Sequence, residues 1–157
     1  EDNAIECIPL LYASRFERIA KPFYFYYQHS ASTVHHISLS KCMDRLKSSE
    51  IYLQELKNRG FYEKYKPEID YKVFELGYRN TLYSYIQSEK WPKYSFVSKM
   101  RRFLKTNVPH YYENPYFIAN MDAENKKLTR MHEKNAFFFF TYYLLLRFYR
   151  KLRYGNK

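Results

Sequence analysis

Glycine is scarce in this 157-residue chain, which contains only Gly60, Gly77 and Gly155. Phosphate-cradling loops of the P-loop or Rossmann kind need two or three glycines within a few residues, so a complete nucleotide-binding domain of either kind is excluded. Cysteine is scarcer still. Cys7 and Cys42 allow neither a disulfide framework nor a cysteine-based zinc site, which indicates a reduced, intracellular protein.

Aromatic side chains are abundant instead. The 19 Tyr, 13 Phe and one Trp make up 21% of the chain, which excludes a disordered protein and predicts one domain's worth of ring-rich core. Rings interleaved with basic residues are also typical of single-strand nucleic-acid binders. We favour the core interpretation and expect no nucleic-acid partner, because the basic residues cluster late in the chain while the rings occur throughout.

The net charge of +11 is unevenly distributed along the sequence. Residues 1–36 contain three basic and four acidic side chains, and residues 37–125 contain 15 and 11. Residues 126–157 contain nine and one, a net charge of +8. This distribution indicates a local basic contact surface near the end of the chain.

Hydrophobic spacing predicts two long helices after residue 36. The first ends at Gly60 and carries Glu55 and Arg59 as an i,i+4 pair. The second runs from about Pro67 to Ser88. The predicted buried stripe of the first is Leu39, Cys42, Leu46, Ser49, Leu53 and Leu56, and that of the second is Ile69, Val73, Leu76 and Tyr83.

Capping signals predict the remaining helices. A third helix is expected from Ser95, as its N-cap, to about Thr106, ahead of Pro109. Asn114-Pro115 is typical of an N-cap followed by the first residue of another helix. The final helix is expected over residues 135–154.

The opening of the chain has a different pattern. Residues 1–14 predict a helix that Pro9 kinks or shortens, and residues 18–28 alternate rings around Pro22 as in a strand at a sheet edge. The predicted fold class is therefore mostly α, with a short N-terminal αβ part in residues 1–36 and a helical bundle in residues 37–157. Since a strand needs neighbours, we expect a sheet upstream of the chain.

The first chemical candidate is Glu1-Asp2 at the start of the predicted opening helix. Backbone amides and the helix dipole hold a carboxylate anionic there, which suits a general base. The commoner role of an acidic residue at this position is an N-cap.

A second motif follows about twenty residues later, namely Lys21-Pro22, the rings of residues 23–27, and then His29 and Ser32. Together with Glu1-Asp2 this pattern resembles the end of the catalytic domain in bacterial family 2 glycosyltransferases. There a Glu-Asp pair heads a helix, a lysine-proline-aromatic strand follows, and a polar loop ending in serine closes over the donor. The resemblance covers residues 1–34 and implies an inverting transferase with a GT-A nucleotide-sugar fold.

The resemblance also implies roles for single residues. Asp2 is the general base and Glu1 its neighbour in the motif, while His29 and Ser32 lie in the loop near the donor diphosphate. A divalent metal, Mg or Mn, is expected for the full-length parent. This chain contains no Asp-X-Asp motif, because Asp122-Ala-Glu124 comes too late, so we expect no metal on it and no sugar transfer by it alone.

The histidines suggest another possible metal site. His29, His35 and His36 lie within eight residues of one another, but no carboxylate is near them and adjacent histidines on extended chain point to opposite sides. We therefore predict no metal ligand among them. His110 and His132 are isolated in the sequence and are expected to be structural.

The end of the chain combines rings and positive charge. Residues 137–146 form an apolar run that reaches about 15 Å as a helix, half of the roughly 30 Å hydrocarbon core of a bilayer, so it cannot span a membrane. Arg147, Arg150, Lys151 and Arg153 follow it as candidate contacts to a membrane or acceptor. The opposite side of the helical wheel carries Phe138, Thr141, Leu145, Phe148, Tyr149 and Leu152.

Two interpretations of this helix remain open. It lies in a membrane interface with its basic residues on anionic headgroups, or it is the most buried helix of the bundle with arginines snorkelling at its end.

The leading hypothesis is the C-terminal part of a cytoplasmic glycosyltransferase, peripheral to the inner face of the plasma membrane, which acts on a nucleotide-sugar donor and a glycan or lipid-linked acceptor. The alternative is a non-catalytic helical interaction or membrane-docking module, with a second copy of the chain as a possible partner.

Overall fold

The computed structural model describes residues 8–25, 27 and 37–155, and every regular element in this part of the chain is helical. In chain order the helices are α1 (Ile8–Tyr12), α2 (Leu39–Asn58), α3 (Lys66–Lys72), α4 (Thr81–Ser88), α5 (Tyr94–Asn107), α6 (Pro115–Asn120), α7 (Ala123–Lys134) and α8 (Ala136–Tyr154). A π-helical segment, Val73–Asn80, joins α3 to α4, and a 3-10 turn, Tyr111–Glu113, precedes α6. The mostly α class is confirmed.

The predicted αβ opening is described only in part. The helix predicted over residues 1–14 is seen as α1, which ends at Tyr12, and residues 1–7 lie outside the described residues. Residues 18–25 and 27 contain no strand, and residues 26 and 28–36 are not described. Strand pairing in this run therefore stays a prediction.

Helix α2 forms as its hydrophobic spacing predicts. The side chain of Ser38 caps its start by accepting a hydrogen bond from the backbone N–H of Lys41 at 3.3 Å. The Glu55–Arg59 ion pair is present at 3.0 Å, and Gly60 follows with a φ of +75°, which favours glycine. The buried side chains of α2 are Cys42, Leu46, Ser49, Tyr52, Leu53 and Leu56.

The second predicted helix is present as the continuous run of α3, the π segment and α4. The π turn explains why Leu76 and Tyr83 are only half-buried, since each extra residue in a turn rotates the following side chains off a regular stripe. Gly77 lies in this segment, where an added Cβ would stand 2.7 Å from Ser49 Oγ and 2.9 Å from Phe103 Cζ. The absence of a side chain at Gly77 therefore allows the π segment to pack closely against α2 and α5.

The third helix starts one residue earlier than expected, and its predicted cap is wrong. Lys93 precedes α5 without a side-chain hydrogen bond to it, and Ser95 is already inside the helix. Asn114 is an N-cap as predicted, because its Oδ1 accepts from the backbone N–H of Tyr116 at 2.9 Å and of Phe117 at 3.3 Å. Its amide also donates to the carbonyl of Pro67 at 2.7 Å, which ties α6 to α3.

The last two helices are each capped by a polar side chain. Asp122 accepts from the backbone N–H of Asn125 at 2.7 Å and begins α7, a helix that was not predicted separately. Asn135 accepts from the backbone N–H of Phe138 at 2.9 Å and begins α8, which has the predicted extent. Gly155 follows α8 with a φ of +68°.

The core lies where the π segment packs on α2 and α5, and α8 packs on α5 and α7. Rings fill much of it. Phe74 stacks on Tyr111 with centroids 5.6 Å apart and meets Phe117 edge-on at 5.1 Å. Helix α1 joins the bundle through the ring of Tyr12, which lies 5.0 Å from that of Phe61. This contact crosses the predicted domain boundary at residue 36.

Candidate functional site

The motif residues implied by the resemblance lie outside the described part of the chain. Glu1 and Asp2, predicted as motif partner and general base, are in residues 1–7, and His29 and Ser32 are in residues 28–36. Their proposed roles stay predictions. The histidine cluster of residues 29–36 also lies there.

A segment of exposed rings follows α1. Residues 13–25 run without regular structure, and their large apolar side chains range from 65% exposed at Phe16 to 87% exposed at Phe25. Ile19, Phe23 and Tyr24 are exposed between them. Clusters of exposed large apolar side chains are typical of interaction surfaces, so this segment is a candidate contact region.

The inner face of α8, defined as Ala136, Phe139 and Tyr143, holds the helix on the bundle. Phe139 is fully buried, with its ring 4.5 Å from that of His132. The hydroxyl of Tyr143 accepts a hydrogen bond from the side-chain amide of Gln87 at 3.1 Å. These contacts fix α8 against α4 and α7.

The outer face of α8, defined as Phe138, Leu145, Phe148, Tyr149 and Leu152, is at least half exposed at every position. Of the six residues predicted to share one side, these five are exposed and Thr141 is half-buried. The interpretation of α8 as the most buried helix of the bundle is wrong, because only its inner face is buried. An apolar helix face therefore points away from the bundle.

The four basic residues at the end of α8 have different surroundings. Arg147 donates to the carbonyls of Ile86 at 2.8 Å and Glu89 at 2.6 Å, at the C-terminal end of α4, so its charge is used inside the bundle. Arg150 pairs with Glu124 at 2.9 Å.

Of the other two cations, Arg153 contacts the outer face. Arg153 donates to the hydroxyl of Tyr149 at 2.7 Å and places its guanidinium 5.9 Å from the centre of that ring. Lys151 is exposed. The outer face is thus bordered by positive charge at its C-terminal end.

No helix in the described residues is both long and apolar enough to cross a bilayer.

His132 forms a buried polar link between three helical elements. Its Nε2 donates to the carbonyl of Val97 at 3.0 Å, so Nδ1 accepts from the hydroxyl of Tyr78 at 2.7 Å. Burial lowers the pKa of the imidazole to about 4, which keeps it neutral at pH 7. These contacts show His132 in a structural position, and His110 lies exposed on a turn.

Metal-ligating side chains do not converge in the part of the chain that the structure covers. Among residues 8–25, 27 and 37–155, no three His, Cys, Asp or Glu side chains are grouped so as to hold an ion. Asp122 and Glu124 occupy the first turn of α7, where Asp122 is a cap. The divalent cation that the resemblance implies therefore has no fitting ligands in this region.

Comparison of the chain with protein-family models, with curated proteins and with solved structures finds no match. The glycosyltransferase resemblance accordingly rests on the residues of the motif alone.

Proposed function

We propose that this chain is the C-terminal part of an inverting family 2 glycosyltransferase that transfers a sugar from a nucleotide-sugar donor to an acceptor hydroxyl. The observation that carries the proposal is the ring-rich segment around Lys21-Pro22, which follows the acidic pair at the interval that the family motif has. In this proposal Asp2 removes the proton from the acceptor, Glu1 supports it, and His29 and Ser32 lie near the donor diphosphate.

The exposure of this segment supports the proposal. Helix α1 precedes residues 13–25, which have no regular structure and whose rings are exposed. Large apolar side chains leave water when a complementary surface is present, and each stabilises the contact by about 1.5–3 kcal/mol when fully buried. The nucleotide-binding sheet of a GT-A domain is such a surface, and the proposal places it upstream of residue 1. The metal-binding residues of the parent are assigned to that upstream part.

The test uses the parent protein with its upstream residues, assayed for release of nucleotide from a panel of nucleotide-sugars. Asp2→Asn should lower the rate about 10²–10⁴-fold, since it removes a general base. Glu17→Gln is the matched control, because Glu17 is an exposed acidic residue between the two parts of the motif, to which the resemblance assigns no role. The 157-residue chain alone should show no turnover. Undiminished turnover in the Asp2→Asn protein contradicts the assignment.

A second function is supported by the outer face of α8. We infer that α8 lies on an anionic membrane surface, with Phe138, Leu145 and Phe148 at the acyl boundary and Lys151 and Arg153 on headgroup phosphates. The net charge of +8 over residues 126–157 complements such a surface. This contact would hold the transferase peripherally on the inner face of the plasma membrane, close to a lipid-linked or growing glycan acceptor.

Vesicle co-sedimentation tests this inference. The chain should pellet with vesicles that contain phosphatidylglycerol and much less with pure phosphatidylcholine. Leu145→Glu should lower the bound fraction at least about tenfold, because it introduces a charge into the apolar face. Ile51→Glu is the control, since Ile51 is an exposed apolar residue on α2.

Two results would contradict membrane docking. Equal recovery with both vesicle types would show that the basic residues make no contribution to binding through anionic headgroups. A dimer in sedimentation equilibrium that Leu145→Glu dissociates, without any vesicle binding, assigns the outer face to a second copy of the chain.

A further inference from the structure

A polar groove lies on the side of the bundle where α4, the π segment, α7 and the inner side of α8 meet. Its volume is about 390 Å³, and its lining includes Arg79, Asn80, Tyr83, Ser84, Gln87 and Arg150. Smaller clefts share its residues at both ends. One adds Arg45 beside Asn80 and Ser84, and another adds Arg147 beside Gln87 and Arg150.

Two polar atoms of this lining are buried without a hydrogen-bond partner, Arg79 Nε and the Tyr83 hydroxyl. Buried polar groups in folded proteins are nearly always bonded, and an unbonded group carries the full penalty of its desolvation. Burial also raises the pKa of Tyr83 above its usual range, so the phenol is a neutral donor at pH 7. These two atoms therefore lack an acceptor, although Arg79 also donates from Nη1 to the Asn80 side-chain oxygen at 3.3 Å.

The charge of the lining favours an anion. Arg79 and Arg150 contribute two guanidinium groups to the lining and Glu124 one carboxylate, which pairs with Arg150, so the lining keeps a net positive charge at Arg79. Arginine presents a planar fork of donors that matches phosphate oxygens. Arg79 and Asn80 close the π segment, an unusual element that is often found at functional sites.

We propose that this groove binds a phosphoryl group, with Arg79 and Arg150 as charged donors and the Tyr83 hydroxyl as a neutral donor. The phosphoryl group belongs either to a soluble phosphate compound or to a lipid headgroup. The binding is independent of the glycosyltransferase assignment, because it uses residues of the helical bundle alone.

The soluble arm of the test titrates inorganic phosphate and pyrophosphate into the chain by isothermal calorimetry. Arg79→Gln should weaken binding about 10–100-fold and Tyr83→Phe about 3–10-fold, as expected for loss of a charged and a neutral hydrogen bond. Arg102→Gln is the control with the same loss of charge, since Arg102 is an exposed arginine outside the groove lining.

The Tyr83→Phe protein also distinguishes a binding role from a packing defect. Removal of an unpartnered buried hydroxyl should leave the melting temperature unchanged or higher, while phosphate affinity falls. A variant whose affinity falls without loss of thermal stability supports the proposal, and a variant with unchanged affinity contradicts the role of the hydroxyl.

The lipid arm measures binding to vesicles that contain phosphatidic acid, with Leu145→Glu present to remove the contribution of the outer face of α8. Binding that depends on Arg79 only in this arm assigns the phosphoryl group to a lipid, and dependence only in the soluble arm assigns it to a free compound. If Arg79→Gln and Arg102→Gln behave alike in both arms, the groove is not a phosphate site and the proposal is overturned.

Discussion

The inner and outer faces of α8 are built from the same kinds of residue and have opposite surroundings. Phe139 is fully buried, whereas its neighbour Phe138 is 57% exposed. Hydrophobic character is thus similar on both faces, and the difference comes from what each face meets. Helix α8 packs on α5 and α7 and its Tyr143 bonds to Gln87 of α4, whereas the outer face is at least half exposed at every position. A ring in this protein is therefore a core residue or a surface residue according to its partner.

The largest expected difference between the two faces is in stability. Phe139→Ala should lower the free energy of unfolding by about 3–5 kcal/mol, because it empties a fully packed site. Phe138→Ala should change the free energy of unfolding by less than about 0.5 kcal/mol. Urea denaturation followed by circular dichroism measures both values. Similar losses for the two variants would show that the outer face is also packed.

The next effect concerns the histidine beneath the inner face. The pKa of His132 is lowered from 6.5 to about 4 in the folded protein. Between these two pH values the imidazole is protonated in the unfolded chain and neutral in the folded chain, so the unfolded state is favoured as the pH falls. The contribution of His132 is therefore complete above pH 6.5 and is lost as the pH falls towards 4. Between pH 7 and pH 5 the loss should be about 2 kcal/mol.

Two variants separate the contribution of His132 to the pH dependence of stability from that of other titrating groups. His132→Asn should flatten the fall in stability between pH 7 and pH 5, while His110→Gln, at an exposed turn, should keep it. In the unaltered protein the His132 ring resonances should titrate below pH 5 by NMR. Titration near pH 6.5 would contradict a buried neutral imidazole.

The last effect separates two arginines at the end of α8. Arg147→Met should lower the free energy of unfolding by about 1.5–3 kcal/mol, since it removes charged hydrogen bonds to the carbonyls of Ile86 and Glu89. Arg150→Met should cost less than about 1 kcal/mol, because its pair with Glu124 is exposed to water. Thermal denaturation compares the stability lost in the two variants. A larger loss for Arg150→Met than for Arg147→Met would contradict the expected order.

Local signals predicted much of the helical bundle. The 3-4 repeat and Gly60 were sufficient for α2, and Asn114-Pro115 for the start of α6, because caps and periodic stripes depend on residues within a few positions of each other. The prediction of Ser95 as an N-cap was wrong. Serine is a frequent N-cap, but α5 begins at Tyr94, so Ser95 lies inside the helix.

The π segment and the polar groove were not predictable in this way. The π segment packs closely on Ser49 and Phe103 at Gly77, and these two residues are far from it in sequence. The groove combines Arg79 and Tyr83 with Arg150, about 70 residues later, and no spacing in the sequence links them. The hydrogen bond between His132 and Tyr78 likewise joins residues that are far apart in the sequence. In the sequence, a structural role for His132 was indicated only by its isolation from other histidines.

The amino-acid order alone established that this chain is helical over most of its length, and that α8 carries rings on one side and cations near its end. Those properties follow from the period of the helix and from residue chemistry. Folding decided that Phe139 and Tyr143 are covered, that Phe138 and Leu145 remain in contact with solvent, and that Arg147 is committed to the end of α4. Burial depends on which distant segments meet a given face, and that information is spread over the whole packed bundle.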